Sequence, residues 1–502
     1  MKRNSLNKFK KIALLGCLFL LTLLNSCKKG EPVINLPLSG PNQEFFVLAD
    51  NNLLKFNANN IKSAISQVAI AGIIAPEKLL SIDFRPATGE LYAVSDASKI
   101  YIIDATTGKA RLVSTTAFAP VLDGAVVSLD FNPVVDKIRI VTNTGQNLRI
   151  NPETAQVEFV DTKIANTNIN GVAYDNNIVG ALSTTLYDID VAAKVLYKQD
   201  PPNTGALVKV GNLELNLGSN VSFDISSDNK NAIAIGKSSE GANLYTINLS
   251  NGLAKLVGRF PTSLVIQGIA MPVNPIAYAV SADKLVVFDF KTSKITNITI
   301  AGLQTGETVL GMDMRPANGQ IYALSSNSRL YTVNIGTGNF TLVGTLSTAL
   351  NGTSFGFDFD PVNDLIRVVS NNGQNLSVTP ATAAVTVGAT ITPATSTVSA
   401  AAYNNNFKGA NTGILYVINH TDDKLYTQNA GVLTAVGDLK INVESANGFD
   451  IISTSTTNTA YGFFTVDGKN KLYKVDLTSG LATAQSEELN FAVSAFTLGL
   501  RF

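Results

Sequence analysis

The chain has 502 residues, with 38 basic and 38 acidic side chains, so its formal charge is zero. Charged residues make up 15% and apolar ones 45%, which excludes a disordered or strongly charged tail protein and leaves material for a large core. Two cysteines, one histidine and no tryptophan exclude a disulfide scaffold, a Cys/His zinc site and a metalloprotease helix, while the length suggests two or three domains.

Lys2, Arg3, Lys8, Lys10 and Lys11 precede an apolar stretch from Ile12 to Leu24. That stretch is shorter than the roughly 20 apolar residues a membrane span needs. It ends in Leu24-Asn25-Ser26-Cys27, which resembles the bacterial lipobox. Residues 1–26 are therefore expected to be a lipoprotein signal peptide, with Cys27 carrying the acyl (palmitate-type) anchor. An ordinary secretory signal with a chance cysteine is the alternative. Cleavage before Cys27 removes five of the 38 basic residues, leaving 33 against 38 acidic ones. A mildly acidic chain has no electrostatic footprint for nucleic acid. Each buried CH₂ of an acyl chain would contribute about 0.8 kcal/mol to membrane attachment. Lys28 to Gln43 contains Pro32, Pro37 and Pro41 with Gly30 and Gly40, so 27–43 reads as a tether. A short edge strand through Val33-Ile34 is the other reading.

The remainder is duplicated. Ser81-Ile-Asp-Phe-Arg-Pro-Ala-Thr-Gly-Glu-Leu-Tyr-Ala-Val94 returns as Gly311-Met-Asp-Met-Arg-Pro-Ala-Asn-Gly-Gln-Ile-Tyr-Ala-Leu324. Asp130-Phe-Asn-Pro-Val-Val-Asp-Lys-Ile-Arg139 returns as Asp358-Phe-Asp-Pro-Val-Asn-Asp-Leu-Ile-Arg367. Later anchors keep the order, giving copies at 44–272 and 273–502.

A shorter period lies within each copy. Segments starting at Leu79, Val126, Ile169, Asn220 and Val265 are spaced by 47, 43, 51 and 45 residues. Each opens with a small apolar strand, and the clearest continues as Glu90–Ser95, Lys99–Asp104 and Lys109–Val113. Alternating, β-branched runs bounded by Gly, Asn and Thr predict strands. Ala64–Ile74 is the best helix candidate and reads equally as a strand. Four strands every 40–50 residues is the signature of a β-propeller blade. Phe45–Phe56 and Ala277–Phe290 lack an inner strand of their own, whereas Gly268-Ile-Ala270 and Phe496-Thr-Leu498 are inner strands without followers. Joining end to start completes a fifth blade in each copy and leaves no exposed edge. The expected fold is thus all-β, two tandem five-bladed rings. One ten-bladed ring is the alternative, and the junction at Met271–Ala277 permits both.

The run Asp130-Phe-Asn-Pro…Asp136…Ile138-Arg139…Gly145-Gln146-Asn147-Leu148-Arg149, with Arg85-Pro-Ala-Thr-Gly89-Glu-Leu-Tyr92, resembles the domain of unknown function 4394 family. Both copies carry it. The resemblance implies a β-propeller-like secreted domain and supplies no catalytic residue. Copy 2 has Ser377 for Arg149 and Thr341 for Arg111, so those arginines are not required by the fold.

One inner-strand position stands out. In copy 1 it reads Asp83, Asp130, Ala173, Asp224, Ala270, and in copy 2 Asp313, Asp358, Ala402, Asp450, Gly499. Carboxylates lining a propeller channel would suit glycoside hydrolysis, one as acid and one as base or nucleophile. Yet each Asp holds the same place in its blade, whereas catalytic roles need different environments. An Asp accepting backbone N–H bonds in the next turn follows the symmetry instead.

Other features carry less chemistry. Asp136 with Arg139, and Asp364 with Arg367, are expected to form solvent-side pairs worth under about 1 kcal/mol. Gly145-Gln146-Asn147 and Gly373-Gln374-Asn375 read as hairpin turns, not phosphate loops. His420 in Asn419-His-Thr-Asp-Asp423 reads as a hairpin-tip surface residue, and no nucleophile system can be built around it. The Leu-Tyr dipeptides read as packing. The expectation is a non-catalytic binding or scaffold lipoprotein of the bacterial cell envelope, lipid-anchored at the outer membrane, with no metal or other cofactor. An envelope protein or a glycan is the expected partner. A carboxylate-dependent glycan hydrolase using the channel aspartates is the alternative.

Overall fold

A computed structural model describes residues 38–500 apart from 239–240, 262–263, 275, 291–293 and 455–456. The signal peptide, Cys27 and the tether as far as Pro37 lie outside the described residues. Ser39–Phe502 forms one compact unit. It contains no α-helix among the described residues, only a single turn of 3₁₀-helix at Pro202–Thr204. No helix there is long and apolar enough to cross a membrane. The segment with helix potential contains the strand Ser66–Ala69.

Forty strands form ten four-stranded antiparallel sheets. Eight sheets are continuous in sequence, each a run of four hairpin-linked strands. Two are composite. In copy 1, Ile266–Ala270 pairs antiparallel with Glu44–Ala49, in the register Phe46 to Ala270 and Val47 to Ile269. In copy 2, Ala495–Leu498 pairs with Ile276–Ser281, Tyr278 opposite Thr497.

Burial falls from the first strand of a sheet to the fourth. All six residues of Ile169–Tyr174 and of Val398–Tyr403 are buried. Fourth strands such as Ile295–Thr299 alternate between exposed and half-buried positions. A first strand covered on both faces needs a continuous apolar run, and an outer strand needs only alternation. That is how the local sequence selects each strand's place.

Sheets stack face to face through these apolar residues. Tyr92, Val94 and Ile102 of one sheet pack on Leu129, Phe131, Ile138 and Ile140 of the next, with Tyr92 and Phe131 edge-on at 5.0 Å between centroids. Each such fully buried side chain contributes about 1.5–3 kcal/mol.

First strands follow one another in a cycle. Leu79–Phe84 packs on Val127–Asn132, then Ile169–Tyr174, Ser219–Ile225 and Ile266–Ala270, and the last packs back on Leu79–Phe84. Copy 2 runs Val309–Met314, Phe355–Asp360, Val398–Tyr403, Val443–Ser453 and Ala495–Leu498, again returning to its first member. The strands come very close. A Cβ on Gly356 would sit 2.5 Å from the Ala401 Cβ, and one on Gly311 2.4 Å from the Phe357 Cβ. Only glycine fits at such contacts.

The two copies also touch each other. The turn after Leu79–Phe84 inserts Ala87 among Ile276, Tyr278, Met314 and Ile321 of copy 2, and Val179 joins the same cluster. The Tyr278 hydroxyl donates to the Ala87 carbonyl at 2.8 Å. Arg111 Nη1 donates to the Ala317 carbonyl at 3.2 Å.

Candidate functional site

The aspartates singled out in the sequence converge. One oxygen from each of Asp83, Asp130 and Asp224 lies within 4.8 Å of the others, and the same holds for Asp313, Asp358 and Asp450. All six residues are only 1–2% exposed. They do not line an open channel.

Their hydrogen bonds explain the symmetry. Asp83 Oδ1 accepts from its neighbour Phe84 N–H at 2.7 Å, and Oδ2 from Phe131 N–H on the next first strand at 2.8 Å. Asp130 Oδ1 accepts from Tyr174 N–H at 3.0 Å. Asp224 accepts from Ile225 N–H at 2.5 Å and from Met271 N–H. Copy 2 repeats the scheme: Asp313 takes Met314 and Phe359 N–H at 2.7 and 2.8 Å, Asp358 takes Tyr403 at 2.9 Å, and Asp450 takes Ile451 and Leu498 at 2.6 and 2.7 Å. The acceptor therefore serves the neighbouring first strand, not a turn as the sequence pattern suggested. A short carboxylate thus links each of these first strands to the next.

This linkage also corrects the register. The residue after each acceptor position is Phe131, Tyr174 and Met271 in copy 1, and Phe359, Tyr403 and Leu498 in copy 2. The fifth position of copy 2 is therefore Thr497, not Gly499. The Thr497 hydroxyl lies 2.9 Å from Asp313 Oδ1 and 3.0 Å from Asp450 Oδ2.

A second rung was missed from the sequence. Ser81 Oγ accepts from Leu129 N–H at 3.1 Å, Ser128 Oγ from Val172 N–H at 2.9 Å and Ser222 Oγ from Ile269 N–H at 3.0 Å. The Ser-x-Asp spacing in three strands of copy 1 was its visible signal. Copy 2 has Gly311, Gly356 and Gly448 at these positions, and a small cavity of about 20 Å³ opens between its first strands.

Burial dominates the electrostatics. Desolvation raises Asp83 well above the usual carboxylate range, and the Asp224 charge adds to it, against two backbone N–H donors. Asp130 is raised by desolvation and by both neighbouring carboxylates. Desolvation pushes Asp224 up to about 7 and Asp450 up to about 6, their backbone donors opposing. Asp313 and Asp358 rise for the same reasons. Three carboxylate oxygens this close could supply part of the six to eight oxygen ligands of a hard cation.

The expected solvent-side ion pairs are not formed. Asp136 pairs instead with Arg85, which is buried and also meets Glu153, with Nε to Asp136 Oδ1 at 2.9 Å. Arg139 is buried, donating to Asp161 and Asn147 at 2.6 Å and to Asn203 at 2.7 Å. In copy 2, Asp364 pairs with Arg315, and Arg367 reaches Asn375 at 3.1 Å. His420 is half-buried in a turn, its Nδ1 3.1 Å from the Thr397 carbonyl, and it belongs to neither carboxylate cluster.

Where the copies meet, a cleft of about 430 Å³ opens. Arg111, Lys109 and Lys408 lie on its wall with Ile102, Phe407 and Leu500. Glu90 holds Arg111 Nη2 at 2.8 Å.

The sequence profile of a family described as Domain of unknown function (DUF4394) matches residues 52–270 and again 284–495. No curated protein matches the chain in sequence. Among solved structures, the chain is similar to the extracellular domain of the one-component system protein BT4673 from B. thetaiotaomicron, at 12% identity and a TM-score of 0.25 over 91% of this chain and 61% of that one. It is also similar to PorZ, described as a surface component of the type-IX secretion system of Porphyromonas gingivalis, at 13% identity and a TM-score of 0.24 over 90% of this chain and 59% of that one. This chain thus spans less than two thirds of either solved chain.

Proposed function

Because the chain belongs to the DUF4394 family and carries two successive copies of its domain, we propose that it is a non-catalytic binding or scaffold protein of the bacterial cell envelope. In this reading 44–272 and 273–502 are two tandem five-bladed β-propellers. They stand on the 27–43 tether, held at the outer membrane by lipid on Cys27 after removal of residues 1–26.

The burial of the six aspartates carries the non-catalytic reading. A glycosidase needs two carboxyl groups flanking a sugar ring, about 5–10 Å apart and open to substrate. Here the carboxyls are 1–2% exposed and committed to backbone N–H groups. Two separate rings are supported by the composite sheets. A single ring of ten would pair Ile266–Ala270 with Ile276–Ser281, and Ala495–Leu498 with Glu44–Ala49. The pairings run the other way. The anchor is supported by the basic start, the short apolar stretch and Leu24-Asn25-Ser26-Cys27.

The ligand surface in this reading is the cleft between the copies. Its volume falls within the 300–1,000 Å³ typical of ligand pockets, and it joins an apolar wall to Lys109, Arg111 and Lys408, with Glu90, which pairs with Arg111, and Asp104 on the same wall, leaving a net excess of one cation. An acidic envelope glycan or peptide fits that lining.

The test uses the full-length protein in detergent. Radiolabelled palmitate is expected to be incorporated, and lost in Cys27→Ala. Immobilised acidic glycans and envelope fractions should be retained by the wild type and lost with Lys408→Glu. Release of reducing ends from a glycan, abolished by Asp83→Asn or Asp313→Asn, would overturn the non-catalytic reading.

A further inference from the structure

From the Asp313, Asp358 and Asp450 cluster we infer a buried site for a hard divalent cation, Ca²⁺ in the first instance, on the axis of copy 2. Three observations meet there.

The first is the donor set. Three carboxylate oxygens lie within 4.8 Å of one another. Three oxygens surround one ion at the roughly 2.3–2.6 Å of Ca²⁺ when they are about 4.0–4.5 Å apart, close to the 4.8 Å limit found here, whereas the roughly 2.0–2.1 Å of Mg²⁺ demands a tighter cluster.

The second is an orphaned atom. Asp358 is 1% exposed, and its Oδ2 has no hydrogen-bond partner, although Oδ1 accepts from Tyr403 N–H. A buried carboxylate oxygen left unpaired is costly, and few native structures keep one without an ion, water or other ligand. No arginine, lysine or histidine forms an ion pair with any of the three carboxylates among the described residues. The one nearby hydroxyl, Thr497 Oγ1, has a single proton for Asp313 and Asp450.

The third is room beside the cluster. The small cavity between the first strands of copy 2 is bounded by Met312, Phe357 and Phe449, the residues immediately before the three aspartates. Gly311, Gly356 and Gly448 keep it open where copy 1 carries Ser81, Ser128 and Ser222. Its volume, about 20 Å³, is that of one small occupant. The cation neutralises like charges drawn together by fold closure and ties three first strands at one point. It is a structural ion with no open face toward substrate.

The experiment strips the full-length protein in detergent with EDTA at neutral pH and then adds CaCl₂. Metal retained after gel filtration is counted by mass spectrometry, and Tm is followed against Ca²⁺ concentration. The wild type should retain Ca²⁺ and its Tm should rise with concentration. Asp358→Asn should retain one equivalent less. Crystals of the wild type soaked in MnCl₂ should show an anomalous peak between the three carboxylates, which needs no variant to fold. Retention unchanged in Asp358→Asn, an unmoved Tm, or the absence of that peak would overturn the site and leave the carboxyls sharing protons.

Discussion

The two copies share a chain path and differ in what they bury. Copy 1 encloses Arg85 with Asp136 and Glu153, and Arg139 with Asp161. Copy 2 has Arg315 with Asp364 alone, in a pair 22% and 43% exposed, and Ala381 and Ala389 where copy 1 has Glu153 and Asp161. Copy 1 also buries Asp188, at whose place copy 2 has Val417. Glu90 and Arg111, which help form the junction, become Gln320 and Thr341. The aspartates of the first strands survive in both copies. The comparison separates two kinds of polar residue. Those that link neighbouring first strands are common to the halves, and much of the extra charge in copy 1 lies near the face that copy 2 covers.

The largest contrast should come from the paired arginines. Arg85→Ala strips a buried cation from two carboxylates, which costs about 3–5 kcal/mol. Arg315→Ala removes a half-exposed pair, worth under about 1 kcal/mol. Thermal or urea unfolding of the two variants measures the difference. Equal losses would show that the burial contrast does not govern these pairs.

Asp188 offers a pH test. Burial raises its carboxyl well above the usual range, with Arg139 opposing, and both oxygens lack partners. The folded state therefore holds this proton more tightly than the unfolded chain. Below about pH 3.9 both states are protonated and no penalty exists. As pH rises through the folded-state value, that contribution to stability is lost. Asp188→Val installs the residue of copy 2 and carries no such cost. It should stabilise the protein by about 1–3 kcal/mol near neutrality, with the gain shrinking toward about pH 4. A gain that grew on acidification would contradict the assignment.

A smaller effect than that of Arg85→Ala belongs to the junction. Arg111→Thr, the copy 2 residue, loses the Glu90 ion pair and the bond to the Ala317 carbonyl. A cost of about 1 kcal/mol is expected. Tm should fall slightly, and amide exchange should quicken at Ala87–Gly89 while the first strands stay protected.

Much of this arrangement was legible because the four-stranded sheets are local in sequence. Hairpin-linked runs with Gly, Asn and Thr turns mark every sheet, and the unpaired strands at the ends of each copy signalled closure. The Asp-x position was visible for the same reason, as one residue per repeat. What was misread involved partners from other sheets. Asp136 and Arg139 are three residues apart and read as a local pair, yet Asp136 answers Arg85, 51 residues earlier, and Arg139 answers Asp161. The Thr497 position was misplaced because Ala495–Leu498 has no following strand to set its register. The junction cleft joins segments about 300 residues apart, as with Arg111 on a strand and Lys408 in a turn, and leaves no periodic trace.

Separate closure of each copy is the central claim, and cysteine pairing tests it most directly. Ala49 faces Ile266, and Val280 faces Ala495, across the two composite sheets. Opposed residues in antiparallel strands stand about 4.5–5.5 Å apart at Cα, within disulfide range. Ala49→Cys with Ile266→Cys, and Val280→Cys with Ala495→Cys, should each oxidise to an intramolecular disulfide, read as a mass loss of two hydrogens and resistance to alkylation. Disulfides in the crossed pairs instead, Ala49→Cys with Ala495→Cys and Ile266→Cys with Val280→Cys, would show one ring of ten and contradict the account.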